Sequence, residues 1–324
     1  MEITTRTNHR NLAGNQTRTR RTLRTHPRAV ALAVSAALMP WALVQPAHAD
    51  PAPNTLPTGG QYTSGTGTIT QPSAAKLQID QQTDKGIINW NTFSIGSAGW
   101  VNFSQPSASS LTLNKVLGNN ASEIFGRLTS NGQVFLSNPS GVLFARGASV
   151  EVGSLFATSL TISDQDFNAG RYNWTNPGNS GSVKVEQGAI ITATGYAALA
   201  GPQVRNDGII IAQAGSVTLA AGDRVTLDMV GDGLISVSVD QAALNASAIN
   251  AGTIQADGGR VLLTARSANA LLDTVVNNSG IIRANSIVQR NGEIILDGGT
   301  AGVVSNSGTL QAAGLDAVTS GGTV

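Results

Sequence analysis

Asn206-Asp207-Gly208-Ile209-Ile210, Asn250-Ala251-Gly252-Thr253-Ile254, Asn278-Ser279-Gly280-Ile281-Ile282 and Asn306-Ser307-Gly308-Thr309-Leu310 are four versions of one phrase. Their glycines are separated by 44, 28 and 28 residues. A second phrase, glycine-x-aliphatic-x-Leu, follows seven residues later as Gly215-Ser216-Val217-Thr218-Leu219 and Gly259-Arg260-Val261-Leu262-Leu263, and after a delay of twelve as Gly292-Glu293-Ile294-Ile295-Leu296. An Asn-x-Gly turn allows positive φ at low cost, and a short aliphatic run follows each one, so the unit reads turn, strand, turn, strand. So small a unit cannot bury its own apolar face. Stacking units at about 4.8 Å buries the inward aliphatics in one continuous core, the construction of a parallel β-helix.

The predicted fold class is therefore all-β. At roughly 20–25 residues per coil, the 44-residue interval reads as two coils and each 28-residue interval as one coil with an insertion. About 275 residues after a leader would make on the order of a dozen coils. Asn206, Asn250, Asn278 and Asn306 would then sit in equivalent turns, with their amides hydrogen-bonding along the stack. The rival arrangement, an antiparallel sandwich, predicts turn signals every 8–12 residues or about that, without the longer repeat.

Composition agrees with strands and tight turns: of 324 residues, 41% are hydrophobic, only 4% are aromatic and 12% charged, and 37 are glycine. The chain has no cysteine, which excludes disulfides, thiolate zinc sites and cysteine nucleophiles. His9, His26 and His48 are its only histidines. All three precede the cleavage site read below, so serine–histidine triads and imidazole ligation are closed to the mature protein.

That site follows a basic stretch, in which Arg6, Arg10, Arg18, Arg20, Arg21, Arg24 and Arg28 face the single acid Glu2, and an apolar run of 16 residues from Ala29 to Val44. The run is shorter than the ~20 residues of a membrane-spanning helix. Ala47-His48-Ala49 is a small-x-small signal-peptidase pattern, placing the mature start at Asp50. Removing residues 1–49 leaves 13 basic against 18 acidic residues, a net charge of −5. Such a protein is poorly suited to nucleic acid, which calls for clustered Lys and Arg.

The segment from Asn102 to Tyr172 carries an ordered set of motifs: FSQP at Phe103–Pro106, Leu113-Asn114-Lys115-Val116, Gly126-x-Leu128, Asn131-Gly132-Gln133-Val134-Phe135-Leu136, Asn138-Pro139-Ser140-Gly141-Val142-Leu143-Phe144, Val152-Gly153-Ser154-Leu155 and Asp164-Gln165-Asp166-Phe167. In this register the chain resembles the N-terminal secretion domain of filamentous-haemagglutinin-like exoproteins of the two-partner secretion pathway, densely over about residues 60–180. Ser140 and Val142 stand where the family's NPNGI-like motif has asparagine and isoleucine; the turn-forming Asn138, Pro139 and Gly141 are intact.

The resemblance implies a right-handed parallel β-helix with a capped N-terminal end and small extra-helical sheets. It also implies a secreted or surface-bound product that passes the periplasm and is recognised by an outer-membrane transporter with periplasmic docking domains. The expected organisation is a signal peptide at 1–49, the secretion domain at 50–200 and continuing coils at 201–324. The attached activity is expected to be that of an adhesin or haemagglutinin meeting a host-cell or bacterial surface receptor, with a haemolysin or the delivery end of a contact-dependent toxin as alternatives.

A carbohydrate-active β-helix enzyme is the rival from a different class. It needs two carboxylates across a cleft. Asp164 and Asp166, two apart and so on one face of a strand, Asp223, Asp228 and Asp232 are the candidates, with Arg224 as charge stabiliser. The bland reading, solvated turn carboxylates, is preferred. Gly222-Asp223-Arg224 and Gly231-Asp232-Gly233 hint at calcium turns but lack the nonapeptide calcium repeat. No catalytic residue, cofactor or metal is assigned. Trp90, Trp100 and Trp174 invite sugar stacking; with Phe93 and Phe103 nearby, they are expected instead to close the core near the N-terminal cap.

Overall fold

The computed structural model describes residues 49–212, 214–229, 235–268, 274–287, 290–315 and 319–324. The chain divides into Met1–His48 and Ala49–Val324. Residues 1–48, Ala47 among them, lie outside the described residues; Ala49 and Asp50 are exposed at the start of the second unit.

Among the described residues, three long sheets of nine, seven and ten strands run along a stack of coils, and a fourth sheet of three strands is separate from them. The stack begins with antiparallel pairs. Gln61–Ser64 pairs with Lys85–Trp90, and Gly67–Ser73 with Lys76–Gln81. Every later pairing within the three long sheets is parallel, so the unit is a parallel β-helix whose first rungs are closed by antiparallel strands.

Side-chain alternation along each strand explains the core. In the nine-stranded sheet Val134, Leu155, Ala197, Val217, Val261 and Ile294 are successive register partners, and so are Leu136, Ala157, Leu199, Leu219, Leu263 and Leu296. The ten-stranded sheet contributes Leu77, Val101, Leu128, Val150, Ile191, Ile210, Ile254 and Ile282. These columns form the larger buried cluster, inside the coils. A second cluster lies on the outer face of the nine-stranded sheet, where Leu113, Phe135 and Phe156 meet Tyr172, Trp174, Val225, Leu227 and Val237 of the three-stranded sheet. Gln133–Ser137 therefore reads V-F-L without alternation, because both of its faces are covered.

The Asn-x-Gly turns stack as one column. Asn206 Nδ2 donates to Asn250 Oδ1 at 2.8 Å, Asn250 to Asn278 at 2.8 Å and Asn278 to Asn306 at 2.7 Å. The first three asparagines are fully buried. Their glycines serve a different purpose from the one expected, since none of Gly208, Gly252, Gly280 and Gly308 has positive φ. A Cβ on Gly252, Gly280 or Gly308 would instead lie 2.1 Å from the carbonyl oxygen of the glycine one coil earlier. Close approach of backbones between coils, not turn conformation, demands glycine here.

The 44-residue interval is one coil and not two, because Asn206 and Asn250 are direct register partners. After Ser216–Ala221 the chain leaves the stack to form Arg224–Asp228 and Ser236–Gln241, then re-enters at Ser247–Asn250. The excursion consumes about as many residues as a bare coil, such as the 21 between the partners Val183 and Val204, and so imitates one. The 28-residue intervals are single coils. The parallel run from Lys76–Gln81 to Thr309–Gln311 has nine rungs rather than a dozen, a stack of about 38 Å at ~4.8 Å per rung.

The buried amide column generates a stability prediction. Asn250→Ala removes the acceptor of Asn206 and the donor to Asn278, and should lower unfolding stability by about 2–3 kcal/mol, whereas Asn306→Ala, at the exposed end, should lose no more than about 1 kcal/mol. Urea denaturation midpoints of the two purified variants check this; equal midpoints would contradict it.

Candidate functional site

Asn138 to Gly141 carry the chain from Gln133–Ser137 in the nine-stranded sheet to Val142–Phe144 in the seven-stranded sheet. Gly141 N–H donates to Asn138 O at 2.9 Å, which closes a four-residue turn. Within it Ser140 N–H donates to the side-chain Oδ1 of Asn138 at 3.0 Å, an Asx turn. The Asn138 amide reaches one rung back, donating to Asn120 O at 3.0 Å and Ser122 Oγ at 2.9 Å. Asn138 is fully buried, and its backbone N–H donates to Thr158 O at 3.0 Å.

Gly141 has φ +111°, and a Cβ there would lie 2.8 Å from Ser182 O. The next coil closes over the turn through Gly181 N–H to Pro139 O at 2.7 Å and Val142 N–H to Ser182 O at 3.0 Å. Val142 is buried between register partners Ser122 and Val183. Pro139 and Ser140 are half-buried and are the members of the turn that reach the surface.

Other motif residues meet across the coils. Gln105, of FSQP, is buried; its amide donates to Ser110 O, Thr112 Oγ1 and Gln133 O, at 3.1, 3.0 and 3.1 Å. Its backbone N–H donates to Asn131 Oδ1 while Asn131 Nδ2 donates back to Gln105 O, both at 2.7 Å. Asn114 accepts from the Trp90 indole at 2.9 Å and donates to Phe135 O at 3.1 Å. Reading the sequence alone misses Asn120, Ser122 and the Gln105–Asn131 exchange.

Asp164 and Asp166 lie on a short helix, Asp164–Asn168, and not on a strand. Ser163 caps it, accepting from Asp166 N–H at 3.0 Å and donating its hydroxyl to Asp166 Oδ2 at 2.7 Å. The Ser163 hydrogen bond, and then the Arg171 guanidinium, hold the Asp166 carboxyl below its ordinary range. Asp164 pairs with Lys115 and so fastens the helix to the strand below. Asp223 accepts from Asn176 Nδ2 at 2.6 Å, and Asp228, at the end of its strand, is also engaged. Asp232 and the Gly231-Asp232-Gly233 turn lie outside the described residues.

The tryptophans do not share one location. Trp90 is buried against Phe93, ring centroids 5.4 Å apart, in the first coils, whereas Trp174 is buried under the three-stranded sheet, 4.8 Å from Phe156. Trp100 is half-buried on the outer face of the ten-stranded sheet, which departs from the expected core position: its place on the strand alternates with inward Val101 and Phe103.

Residues 54–312 match the family model described as the TPS secretion domain. The chain belongs to the TPS secretion domain family. It is 35% identical over 249 residues to the heme/hemopexin-binding protein of Haemophilus influenzae strain Rd, covering 74% of this chain and 27% of that protein. A second Haemophilus influenzae heme/hemopexin-binding protein is 31% identical over 254 residues, with coverages of 72% and 27%. The chain thus spans about a quarter of the curated relatives it matches.

Among solved structures, the HMW1 secretion domain from Haemophilus influenzae superposes with a TM-score of 0.70 at 29% identity, over 80% of this chain and 68% of that one. The filamentous hemagglutinin secretion domain superposes at 0.51 with 17% identity, over 80% and 97% of the two chains, and supports the fold. This is the secretion domain of a two-partner secretion exoprotein, exported across the outer membrane to the cell surface or medium, and its family implies a cognate outer-membrane transporter.

The TPS domain's Asn138 turn yields a second prediction. Gly141→Ala forces a Cβ into a left-handed conformation and against Ser182 O, and should destabilise the protein by about 1–3 kcal/mol. Ser140→Ala, at the surface of the same turn, should change stability by less than about 0.5 kcal/mol. Thermal unfolding of both variants is the check.

Proposed function

We propose that residues 1–49 are removed between Ala49 and Asp50 and that the mature segment is captured in the periplasm by the docking domains of its transporter. In this reading residues 50–200 carry the recognition and folding motifs, and 201–324 extend the coils. The observation that carries the proposal is the family match over residues 54–312. The Asn138–Val142 motif acts through folding: the Asn138 amide is spent on Asn120 and Ser122, and only Pro139 and Ser140 reach the surface.

The exoprotein's role is binding and not catalysis. Asp164 and Asp166 are committed to Lys115 and Arg171, and a carboxyl held below its ordinary range is a poor general acid. The 35% identical relative is named for heme/hemopexin binding, and an adhesin or haem-capturing exoprotein meeting a surface receptor fits that kinship. With His9, His26 and His48 before the cleavage site and no cysteine, residues 50–324 offer haem neither imidazole nor thiolate.

Co-expression with the cognate transporter in a Gram-negative host tests the reading. Intact mass of the exported protein should begin at Asp50. Asn138→Ala should lower transporter-dependent secretion and also reduce the stability of purified protein by about 1–3 kcal/mol, because it leaves buried partners unpaired. Lost secretion with unchanged stability would assign the turn to direct docking, and normal secretion would remove it from export altogether.

A further inference from the structure

The chain leaves the stack in two excursions that meet. The first, between Ser154–Thr158 and Val183–Val185, holds the helix Asp164–Asn168 and the strand Tyr172–Thr175; the second, between Ser216–Ala221 and Ser247–Asn250, holds Arg224–Asp228 and Ser236–Gln241. Together they make one sheet. Tyr172, Asn173, Trp174 and Thr175 are register partners of Leu227, Thr226, Val225 and Arg224, and Arg224–Asp228 pairs in turn with Ser236–Gln241. Asn176 seals the corner, its backbone N–H donating to Asp223 O at 2.7 Å and its Nδ2 to Asp223 Oδ1 at 2.6 Å. Asn173 and Thr226 are 53 residues apart in sequence, and the coils from Val183 to Ala221 lie between them.

Neither excursion is sufficient alone. Phe135 and Phe156 are register partners that point outward from the nine-stranded sheet, and Trp174 covers both, with ring centroids 6.1 and 4.8 Å away. Phe167 and Tyr172 close the side at 6.3 and 6.0 Å from Phe135. Val225, Leu227 and Val237, all from the second excursion, complete the same buried cluster. A lone strand carrying two large aromatic rings has no ladder to hold it and is marginal in water, whereas three strands packed by an apolar face sustain one another. On the other face of the sheet Asn173, Arg224, Ser238 and Asp240 are polar and exposed. Its apolar side is therefore committed to the stack.

We propose that this sheet is a latch on the early coils. It closes only when residues 222–241 return over the first excursion, and the coils that carry Phe135 and Phe156 reach their full stability only then. The last of the family motifs is Asp164–Phe167, yet the unit that folds around those motifs passes residue 200 and runs to Gln241. Joining strands 53 residues apart costs loop-closure entropy before the aromatic cluster rewards it, which makes closure an all-or-none step. The latch belongs to the folded domain and is independent of how the transporter recognises it.

Hydrogen-exchange mass spectrometry of the exported chain tests the proposal. Asn173→Cys combined with Thr226→Cys puts a thiol pair across the latch, where the native side chains meet at 2.9 Å, in a chain with no other cysteine. Oxidation with diamide, compared with the same protein reduced, should slow exchange in Gln133–Ser137 and Ser154–Thr158 by about tenfold or more, and in Glu293–Asp297 at the far end of the stack by less than about twofold. Leu227→Asp should act in the opposite direction, speeding exchange in the early coils together with the sheet. The cross-link adds stability instead of removing it, so the test stands even where Leu227→Asp does not fold. The proposal fails where the closed cross-link leaves the early coils at their reduced-state rate or slows every segment equally. It fails also where Leu227→Asp speeds exchange in Tyr172–Thr175, Arg224–Asp228 and Ser236–Gln241 alone.

Discussion

Everything in this fold follows from one constraint: each coil must present its backbone to the next at about 4.8 Å along three sheets at once. Residues that share a register position therefore share an environment. The inner columns of Val, Leu and Ile satisfy this by dispersion and exclusion of water. The corners must do so with backbone and amides. Where Gly252 passes Gly208 there is no room for a Cβ, and where Asn206 passes Asn250 each buried amide is satisfied by its neighbour along the stack. A polar group that is costly when buried alone is thus tolerated as a column.

The sequence made this periodic part legible. Four Asn-x-Gly turns and three glycine-x-aliphatic-x-Leu strands are the register positions themselves, read in order. What it concealed were the departures from the period. A two-strand excursion of nearly a coil's length is indistinguishable from a coil by counting, and only the pairing of Asn206 with Asn250 separates them. Asp164 and Asp166 misled for a related reason: in an otherwise all-β chain, a spacing of two suggests a strand face, yet Ser163 three residues before Asp166 is a helix cap. Trp100 misled because aromatic residues usually pack inside, while strand alternation with Val101 and Phe103 already pointed it outward.

The motif-rich segment and the repeating segment solve the same problem differently. In the early coils Gln105, Asn114, Asn131 and Asn138 each bond to a distinct set of partners, unlike the repeated asparagine pairs of the later coils. Such a network fixes register uniquely, because a shifted strand would leave several buried groups unpaired.

The later asparagine column has no such power by itself. Asn206, Asn250, Asn278 and Asn306 are chemically identical, so a coil slipped by one whole repeat would recover the same amide pairs. Register there must be inherited from the coil before. Each coil touches chiefly its neighbours, and the antiparallel cap together with the Gln105–Asn131 exchange supplies a unique first layer from which identical layers can be counted. A fold of this kind has a direction: the distinctive hydrogen bonds lie where the stack starts, and the degenerate ones lie where it is extended. The glutamine and asparagines of the early motifs spend their amides on neighbouring coils, and the surfaces left for partners are the outward rows.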